Sequence, residues 1–539
     1  MPAPSPWLRF WVRVDGYFCS PSTVWMDNFY FHMTIPLLRV CLMLVAGLGC
    51  GESAAALAGK RPNIVFFFTD DQGYGDISAH GNSVLKTPNL DRIRAEGVRF
   101  TDFHVSPTCA PTRSALFTGR HEFKNGITHT ILERERLTLK ATTLAQVLQG
   151  AGYTTGIFGK WHLGDEPEYW PSRRGFTEMF IHGAGGIGQS YPGSCGDVPG
   201  NKYFDPAILH NGKFVKTKGY CTDVFYAQAT QWMDAQRKAG KPFFAYIPSN
   251  APHGPYIARP EDKALYDGKV PNDQTASFLG MVHNIDQNVG KVLAKLDEWG
   301  IAKDTLVVFM NDNGGTAGTS VFNAGMRGAK GTAWLGGTRA SSFWRWPGTL
   351  KPADCGVLAA HIDFFPTIAE ITGVKLTDEV RRQVEGRSLV PLLENPADTL
   401  PDRVQFTHLG RWPKHSDPNL AKFAMCSVRN PRWHLVSPNG GKEPKWQLFD
   451  VKADYGEKDD VAAQHPDVVK QLAAAYDQWW TDVQPLLVNE KVIGPKLNPF
   501  AELYWKQFGG GPTEADYQRM DPTKPWPATG DGKKKAKAK

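Results

Sequence analysis

Cys109, Arg113, Lys160, His162, His253, Lys330, Asp70, Asp71, Asp312 and Asn313 are the residues of this 539-residue chain whose types and placing can do chemistry together. Three carboxylates and one amide (Asp70, Asp71, Asp312, Asn313) form an all-oxygen donor set. Such a set favours Ca²⁺ or Mg²⁺ over zinc, which prefers His and Cys. Two adjacent carboxylates repel each other and lose hydration, a cost that a bound hard cation offsets. Cationic and imidazole groups around such a metal describe a pocket for a tetrahedral oxyanion. The chemistry this implies is metal-assisted transfer or hydrolysis of a sulfate or phosphate ester, with the histidines as proton carriers. Cys109 sits in a loop marked by Pro107 and Pro111, just ahead of residues 114–117, which read as the first turn of a helix. Its sulfur is therefore close to a helix N-terminus, where an anion is favoured.

Four apolar runs of strand length deliver most of these residues just beyond their carboxyl ends. Residues 63–69 stop at Asp70-Asp71, and a run without polar alternation predicts a strand covered on both faces. Residues 153–158 lead to Lys160 and His162, residues 242–247 to His253, and residues 305–310 to Asp312 and Asn313. Helical spacing over 89–97, 144–151, 232–238 and 285–299 alternates with these runs, and 98–104 reads as a further strand entering the Cys109 loop. This alternation predicts a parallel α/β sheet with the ligand crevice at the carboxyl ends of its strands. A Gly-rich loop over 327–339 brings Lys330 and backbone N–H groups towards an anion, and a loop-rich insertion over 164–220 is expected to rim the crevice. Residues 361–372 read as a helix closing the main domain.

The composition, 41% hydrophobic and 12% aromatic, supports one large domain plus a smaller one and excludes a disordered or fibrous chain. Most of the net charge of +7 comes from Lys533, Lys534, Lys535, Lys537 and Lys539, a solvated end rather than a nucleic-acid groove. Near the other end Arg39 precedes an apolar run over 40–49, followed by small residues up to Ala56-Leu57-Ala58, the form of a secretory cleavage site. That run is too short for a membrane span, and Met33 reads as the functional start. Gly47 stands where a lipobox carries a branched aliphatic residue, which argues against a lipid anchor on Cys50. The expected location is periplasmic or secreted. Export makes disulfides relevant: Cys195 and Cys221 share the insertion and could pair, while Cys109 has no near partner.

At this point the residues match a known pattern. Cys109-Ala110-Pro111-Thr112-Arg113 followed by Thr118-Gly119-Arg120, with Asp70 to Asp76, Gly159 to Gly164 and the loop Arg327 to Arg339, resembles the type I, formylglycine-dependent sulfatases of the alkaline phosphatase superfamily. The similarity runs from about Pro62 to Trp480. It implies a large mixed, mostly parallel sheet sandwiched by helices, with a smaller C-terminal antiparallel sheet packed by a helix. It also implies that a formylglycine-generating or sulfatase-maturating enzyme converts Cys109 to formylglycine. One hydroxyl of its hydrate, activated by the metal and Asp312, would attack sulfur; the other would lose its proton to His162 and expel sulfate. His253 and Lys330 would bind the ester and protonate the leaving oxygen, Lys160 would hold the sulfate, and Arg113 would orient the hydrate. Asp70, Asp71, Asp312, Asn313 and the modified Cys109 would hold Ca²⁺, with Mg²⁺ as the alternative. Two departures, Leu335 before Gly-Gly and Gln72 after the Asp pair, bear on substrate preference more than on mechanism.

The resulting organisation is an extension and signal peptide over 1–58, a catalytic domain over 59–400, a C-terminal α+β subdomain over 401–508 and an extended Lys-rich tail over 509–539. In the subdomain, strand-like runs at 404–407, 423–428, 433–436 and 446–449 precede a helical stretch at 461–480 that would cover one sheet face. The expected substrate is an aryl or carbohydrate sulfate ester, with no nucleic-acid partner and no transmembrane span. Two rivals stand beside it: a formylglycine-dependent phosphonate monoester or phosphodiester hydrolase, which shares the site plan, and a non-catalytic sulfated-glycan binding protein in which Cys109 stays unmodified.

Overall fold

A ten-stranded mixed sheet carries the candidate residues on one of its edges. The computed structural model describes residues 57–524; the run at 40–49, Cys50, the start at Met33 and the Lys-rich end lie outside the described residues. The sheet contains β1 (Asn63–Thr69), β2 (Gly97–Phe100), β4 (Thr154–Lys160), β5 (Glu178–His182), β6 (Ala207–His210), β7 (Lys213–Lys216), β8 (Phe243–Pro248), β9 (Thr305–Asn311), β10 (Ser342–Arg345) and β11 (Ala353–Cys355). A two-residue strand β3 (Phe103–His104) pairs separately with β12 (Ala359–Ala360). The order is β11-β2-β10-β9-β1-β8-β4-β5-β6-β7, and the central run β9-β1-β8-β4-β5 is parallel throughout. The strands that deliver Asp312, Asp70, His253 and Lys160 are thus four neighbours, and their carboxyl ends share one edge.

The apolar runs are continuous because both sheet faces are covered. Along β1, Ile64, Phe66 and Phe68 point into one core with Leu116 and Phe117 of α2 (Cys109–Thr118) and Phe364 of α6 (Phe364–Thr372), and with α3 (Leu144–Gly150) behind them. Val65 and Phe67 point into the other, with α1 (Pro88–Ala95), α4 (Cys221–Lys238) and α5 (Asp273–Glu298). The ring of Phe66 stacks on Phe364 at 4.5 Å and on Tyr246 at 5.4 Å, so the strand beneath Asp70 is held by aromatic packing as well as by its ladder.

A second, four-stranded antiparallel sheet, β13 (Gln405–His408), β14 (Cys426–Arg429), β15 (Trp433–Ser437) and β16 (Gln447–Asp450), is covered by α7 (Pro466–Val483). Leu472, Tyr476, Trp479 and Trp480 of that helix pack on Val428, Leu435 and Leu448, the covered face expected from the helical spacing. Among the described residues no helix is long and apolar enough to cross a membrane.

Several expectations need correction. The strand read over 98–104 is two, because the chain breaks at Thr101-Asp102, where Asp102 turns to pair with Arg429 of β14 and His104. The helix after the Cys109 loop begins at Cys109 itself rather than at Ser114, with extended Thr108 as its N-cap. Residues from Gly509 are not all extended: α8 (Pro499–Phe508) is followed by α9 (Glu514–Met520), started by a Thr513–Asp516 capping box. Met520 is fully buried, and its carbonyl accepts from Gly193 N at 2.8 Å, tying this helix to the insertion. Cys195 and Cys221 do not pair; both are buried free thiols, one packed with Ile131, Leu132 and Ala184, the other against Asn250. Leu335 lies in an apolar cluster with Trp334, Tyr74 and Val436.

Gly159 is the backbone device that lets β4 lie close to the end of β8. Its φ of +134° is open to glycine alone, and a Cβ there would stand 2.1 Å from the Pro248 carbonyl oxygen. We expect Gly159→Ala to cost at least about 2 kcal/mol in denaturant unfolding, from strain and overpacking together, and to displace Lys160. An unfolding midpoint equal to that of the unsubstituted protein would contradict this account of the strand junction.

Candidate active site

β1 and β9 run parallel with Thr69 opposite Asn311, so the residues that follow, Asp70 and Asp312, emerge side by side. All three aspartates are buried: Asp70 and Asp312 fully, Asp71 at 4% exposure. Asp71 and His162 hold left-handed backbone, φ 67° and 60°, which for such residues costs about 1–3 kcal/mol and bends the chain to aim these side chains into the crevice. Asp71 N donates to Asp312 Oδ1 at 3.2 Å, and Asn313 Nδ2 donates to Asp71 Oδ1 at 3.1 Å. Burial and the charges of Asp70 and Asp71 push Asp312 up to about 6, against Arg113 and Lys160.

Three cations and two imidazoles surround the carboxylates. Lys160 Nζ meets Asp70 Oδ2 at 2.5 Å with both side chains fully buried. Arg113, on α2, donates from Nη2 to Asp312 Oδ2 at 2.7 Å; its Nη1 reaches the Lys160 carbonyl and the Tyr246 hydroxyl, and its plane lies over Phe68 at 5.0 Å. Lys330 pairs with Asp71 Oδ1. Its loop is pinned by Lys330 N to the Gly315 carbonyl at 3.1 Å and Gly331 N to the Pro107 carbonyl at 2.8 Å, which joins it to the Cys109 loop. Burial alone would discharge Lys330, but Asp71 overrides it and keeps the ammonium charged; in turn Asp71, despite burial, is held far below the usual carboxylate range by Lys330 and His253.

The two histidines are set in opposite tautomers. His162 Nε2 is 2.7 Å from the Thr130 carbonyl, an acceptor, so Nε2 carries the hydrogen and Nδ1, buried with no partner among the described residues, is left as a bare base. Burial, with Lys160 nearby, holds this imidazole well below its usual value. His253 Nδ1 donates to the Gly254 carbonyl at 2.7 Å, and its Nε2 stands 3.9 Å from Asp71 Oδ2. Burial lowers it to about 4, although Asp71 opposes the shift. The insertion closes over both rings: a Cβ on Gly185 would lie 2.6 Å from the His162 ring, and one on Gly186 3.1 Å from His253 Nδ1.

The donor set fits a hard cation. An oxygen each of Asp70 and Asp312 and the Cys109 sulfur lie within 4.8 Å of one another, as do atoms of Asp70, Asp71 and His253. Asp70 Oδ1 and Asn313 Oδ1 are buried acceptors with no hydrogen bond among the described residues, oxygens of the kind that coordination satisfies. Cys109 is the first residue of α2, 2% exposed, beside this oxygen cluster. All ten residues singled out from the sequence therefore converge on one crevice. Sequence reasoning missed Thr130, Tyr246 and Phe68, which hold His162 and Arg113; Tyr246 and Phe68 were hidden as ordinary strand aromatics, and Thr130 acts through its backbone.

Residues 62–374 match the family model described as Sulfatase. The chain is 31% identical to arylsulfatase A of Bos taurus over 483 residues, covering 81% of this chain and 90% of that one. It is 28% identical to arylsulfatase J of Mus musculus over 488 residues, covering 82% and 79%. Among solved structures, Ps i-CgsB in complex with k-i-k-neocarrahexaose superposes with a TM-score of 0.67 at 28% identity, covering 79% of this chain and 94% of that one. The chain belongs to the sulfatase family of the alkaline phosphatase superfamily and is a sulfuric ester hydrolase.

Proposed function

We propose that this enzyme hydrolyses aryl or carbohydrate sulfate esters through a formylglycine formed at Cys109 by a maturating enzyme, beside a Ca²⁺ held by Asp70, Asp71, Asp312, Asn313 and the modified Cys109. The observation that carries this reading is the approach of the Cys109 sulfur to the Asp70 and Asp312 oxygens within 4.8 Å, at the first turn of a buried helix. When bound, the cation supplies Lewis-acid polarisation of the ester oxygens, and the hydrated aldehyde supplies an alcohol oxygen in place of a thiol. The chain's own groups do the rest. Arg113, fixed by Asp312 and Phe68, orients the nucleophilic side chain, while Lys160 and Lys330 hold the sulfate oxygens. His162 accepts a proton at Nδ1, and His253, loaded at Nε2, gives one to the leaving oxygen. Export to the periplasm or outside the cell belongs to the same reading. A saccharide substrate is supported by two relatives: Ps i-CgsB, described with a neocarrahexaose, and N-acetylgalactosamine-6-sulfatase of Canis lupus familiaris, 30% identical over 394 residues.

Three outcomes test this. Protein from its native host, digested and weighed, should carry an aldehyde at residue 109 and should cleave 4-nitrophenyl sulfate faster than the matching phosphate mono- and diesters; an intact thiol, or faster phosphoester cleavage, would overturn the assignment. Asp312→Asn should lower kcat about 10²- to 10³-fold and weaken Ca²⁺ binding in calorimetry while the unfolding curve keeps its shape; retained affinity would remove Asp312 from the metal site. Because burial holds His253 near 4, its acid form grows as pH falls, so kcat/KM for an alkyl sulfate should rise from pH 7 towards pH 5. His253→Gln should flatten that rise and lower the rate about 10²-fold, and an unaltered profile would exclude His253 as the acid.

A further inference from the structure

The loop after β13 places a cation over the crevice that no role above uses. Gly410 has φ +67°, and a Cβ there would stand 2.0 Å from the Thr128 carbonyl oxygen, so only glycine lets this loop press onto residues 128–130. Arg411 N donates to the same carbonyl at 2.9 Å, and Trp412, next in the chain, is clamped by Arg134 through its carbonyl at 2.7 Å and its ring face at 4.7 Å. So fixed, Arg411 reaches Thr130 Oγ1 from Nη2 at 3.1 Å. Thr130 is the residue whose backbone carbonyl holds His162. The guanidinium therefore stands one residue away from a catalytic imidazole.

This guanidinium differs from most buried arginines of the chain; Arg174 also lacks an ion pair, but its Nη groups donate to the Thr138, Leu139 and Ala141 carbonyls. Arg113, Arg134, Arg345 and Arg429 are all buried, and each meets a carboxylate. Arg411 forms no such ion pair among the described residues, and its Nε is a fully buried donor without a partner. Arg411 is half-buried, and a partly desolvated cation without an ion pair is favoured where an anion visits. Burial lowers the pKa of this guanidinium, and Cys109, Asp71 and Tyr191 oppose that shift.

We infer that Arg411 is a specificity residue that receives a second anionic group, a carboxylate or another sulfate, carried by the alcohol portion of the sulfate ester. This rests on the reading of the crevice as a sulfate-ester site. On that reading the lysines and Arg113 would hold the ester being cleaved, whereas Arg411 arrives from the C-terminal subdomain. A guanidinium presents a planar fork that pairs with a carboxylate or sulfate through two N–H groups, and Arg411 Nη1, unlike its enclosed Nε, is neither hydrogen-bonded among the described residues nor fully buried.

The test compares phenyl sulfate, 3-carboxyphenyl sulfate and 1,3-phenylene disulfate. With matured enzyme, Arg411→Ala should lower kcat/KM for either or both doubly charged esters at least about tenfold more than for phenyl sulfate, the loss lying in KM, and Arg411→Lys should recover part of it. Which of the two responds separates a carboxylate ligand from a second sulfate. In parallel, calorimetric binding of the same compounds to Cys109→Ala and to Cys109→Ala/Arg411→Ala requires no turnover, and the second should bind the doubly charged compound about tenfold or more weakly. Equal losses for all three compounds would mean that Arg411 acts only through Thr130 and His162, and would overturn the assignment, as would no loss for any. If matured enzyme cleaves none of the esters while binding still depends on Arg411, the anion site stands and the formylglycine reading falls.

Discussion

Three carboxylates forced into one water-poor corner are the constraint on which this structure depends. Asp70, Asp71 and Asp312 are there because two parallel strands, β1 and β9, end in register, and each strand's next residue is acidic. Like charges at such range, with little solvent between them, repel strongly, and Asp312 responds by holding its proton more tightly than a free carboxylate. Each nearby cation answers one of them: Lys160 answers Asp70, Lys330 answers Asp71 and Arg113 answers Asp312. Such paired charges gain little stability over apolar residues of the same volume, because desolvation consumes most of the attraction. Their retention is an argument from chemistry rather than from folding.

What holds the corner in place is the apolar body beneath it. β1 is sandwiched between aromatic rings on one face and long helices on the other, so its end cannot retreat to relieve the repulsion. α2 adds a second anchor. Every one of its residues from Cys109 to Thr118 is buried, including Arg113, so the arginine and the candidate nucleophile move with the core as one body. Close packing of this kind makes the spacing between Cys109, Arg113 and Asp312 a property of the whole domain.

Residues that lie directly after a strand were legible in the sequence, because strand register and the carboxyl-end rule together place them. That is why Asp70, Asp71, Lys160, Asp312 and Asn313 could be gathered before any coordinates, and why the C-terminal sheet and its covering helix were also anticipated. What stayed hidden depends on distant partners. The break at Thr101-Asp102 exists because Asp102 finds Arg429, more than three hundred positions away. The helix at Glu514–Met520 lies in a Gly- and Pro-rich end and is seated by Met520 against Gly193 and Asn498, contacts that no local pattern encodes. Cys195 lies in the insertion and Cys221 opens the helix after it, and the two face different clusters, so sequence proximity misled there.

The same long-range dependence changes what the C-terminal subdomain is. Read from the chain alone it is a separate small sheet with its own aromatic core, an appendage to a complete catalytic domain. In the structure Arg429 reaches from β14 into the catalytic sheet's entrance, where Asp102 neutralises it, and that contact is architectural. Arg411 reaches across the same junction, meets no carboxylate among the described residues, and is held against the segment that positions His162. Arg429 thus has a built-in counter-ion in Asp102, whereas Arg411 has no ion pair among the described residues, the difference on which its proposed role rests. On the proposed reading the sulfur-handling groups come from the large sheet and its loops, whereas Arg411 would read the rest of the ester from the subdomain. On that reading, changes in substrate preference can accumulate at this junction without disturbing the strand ends.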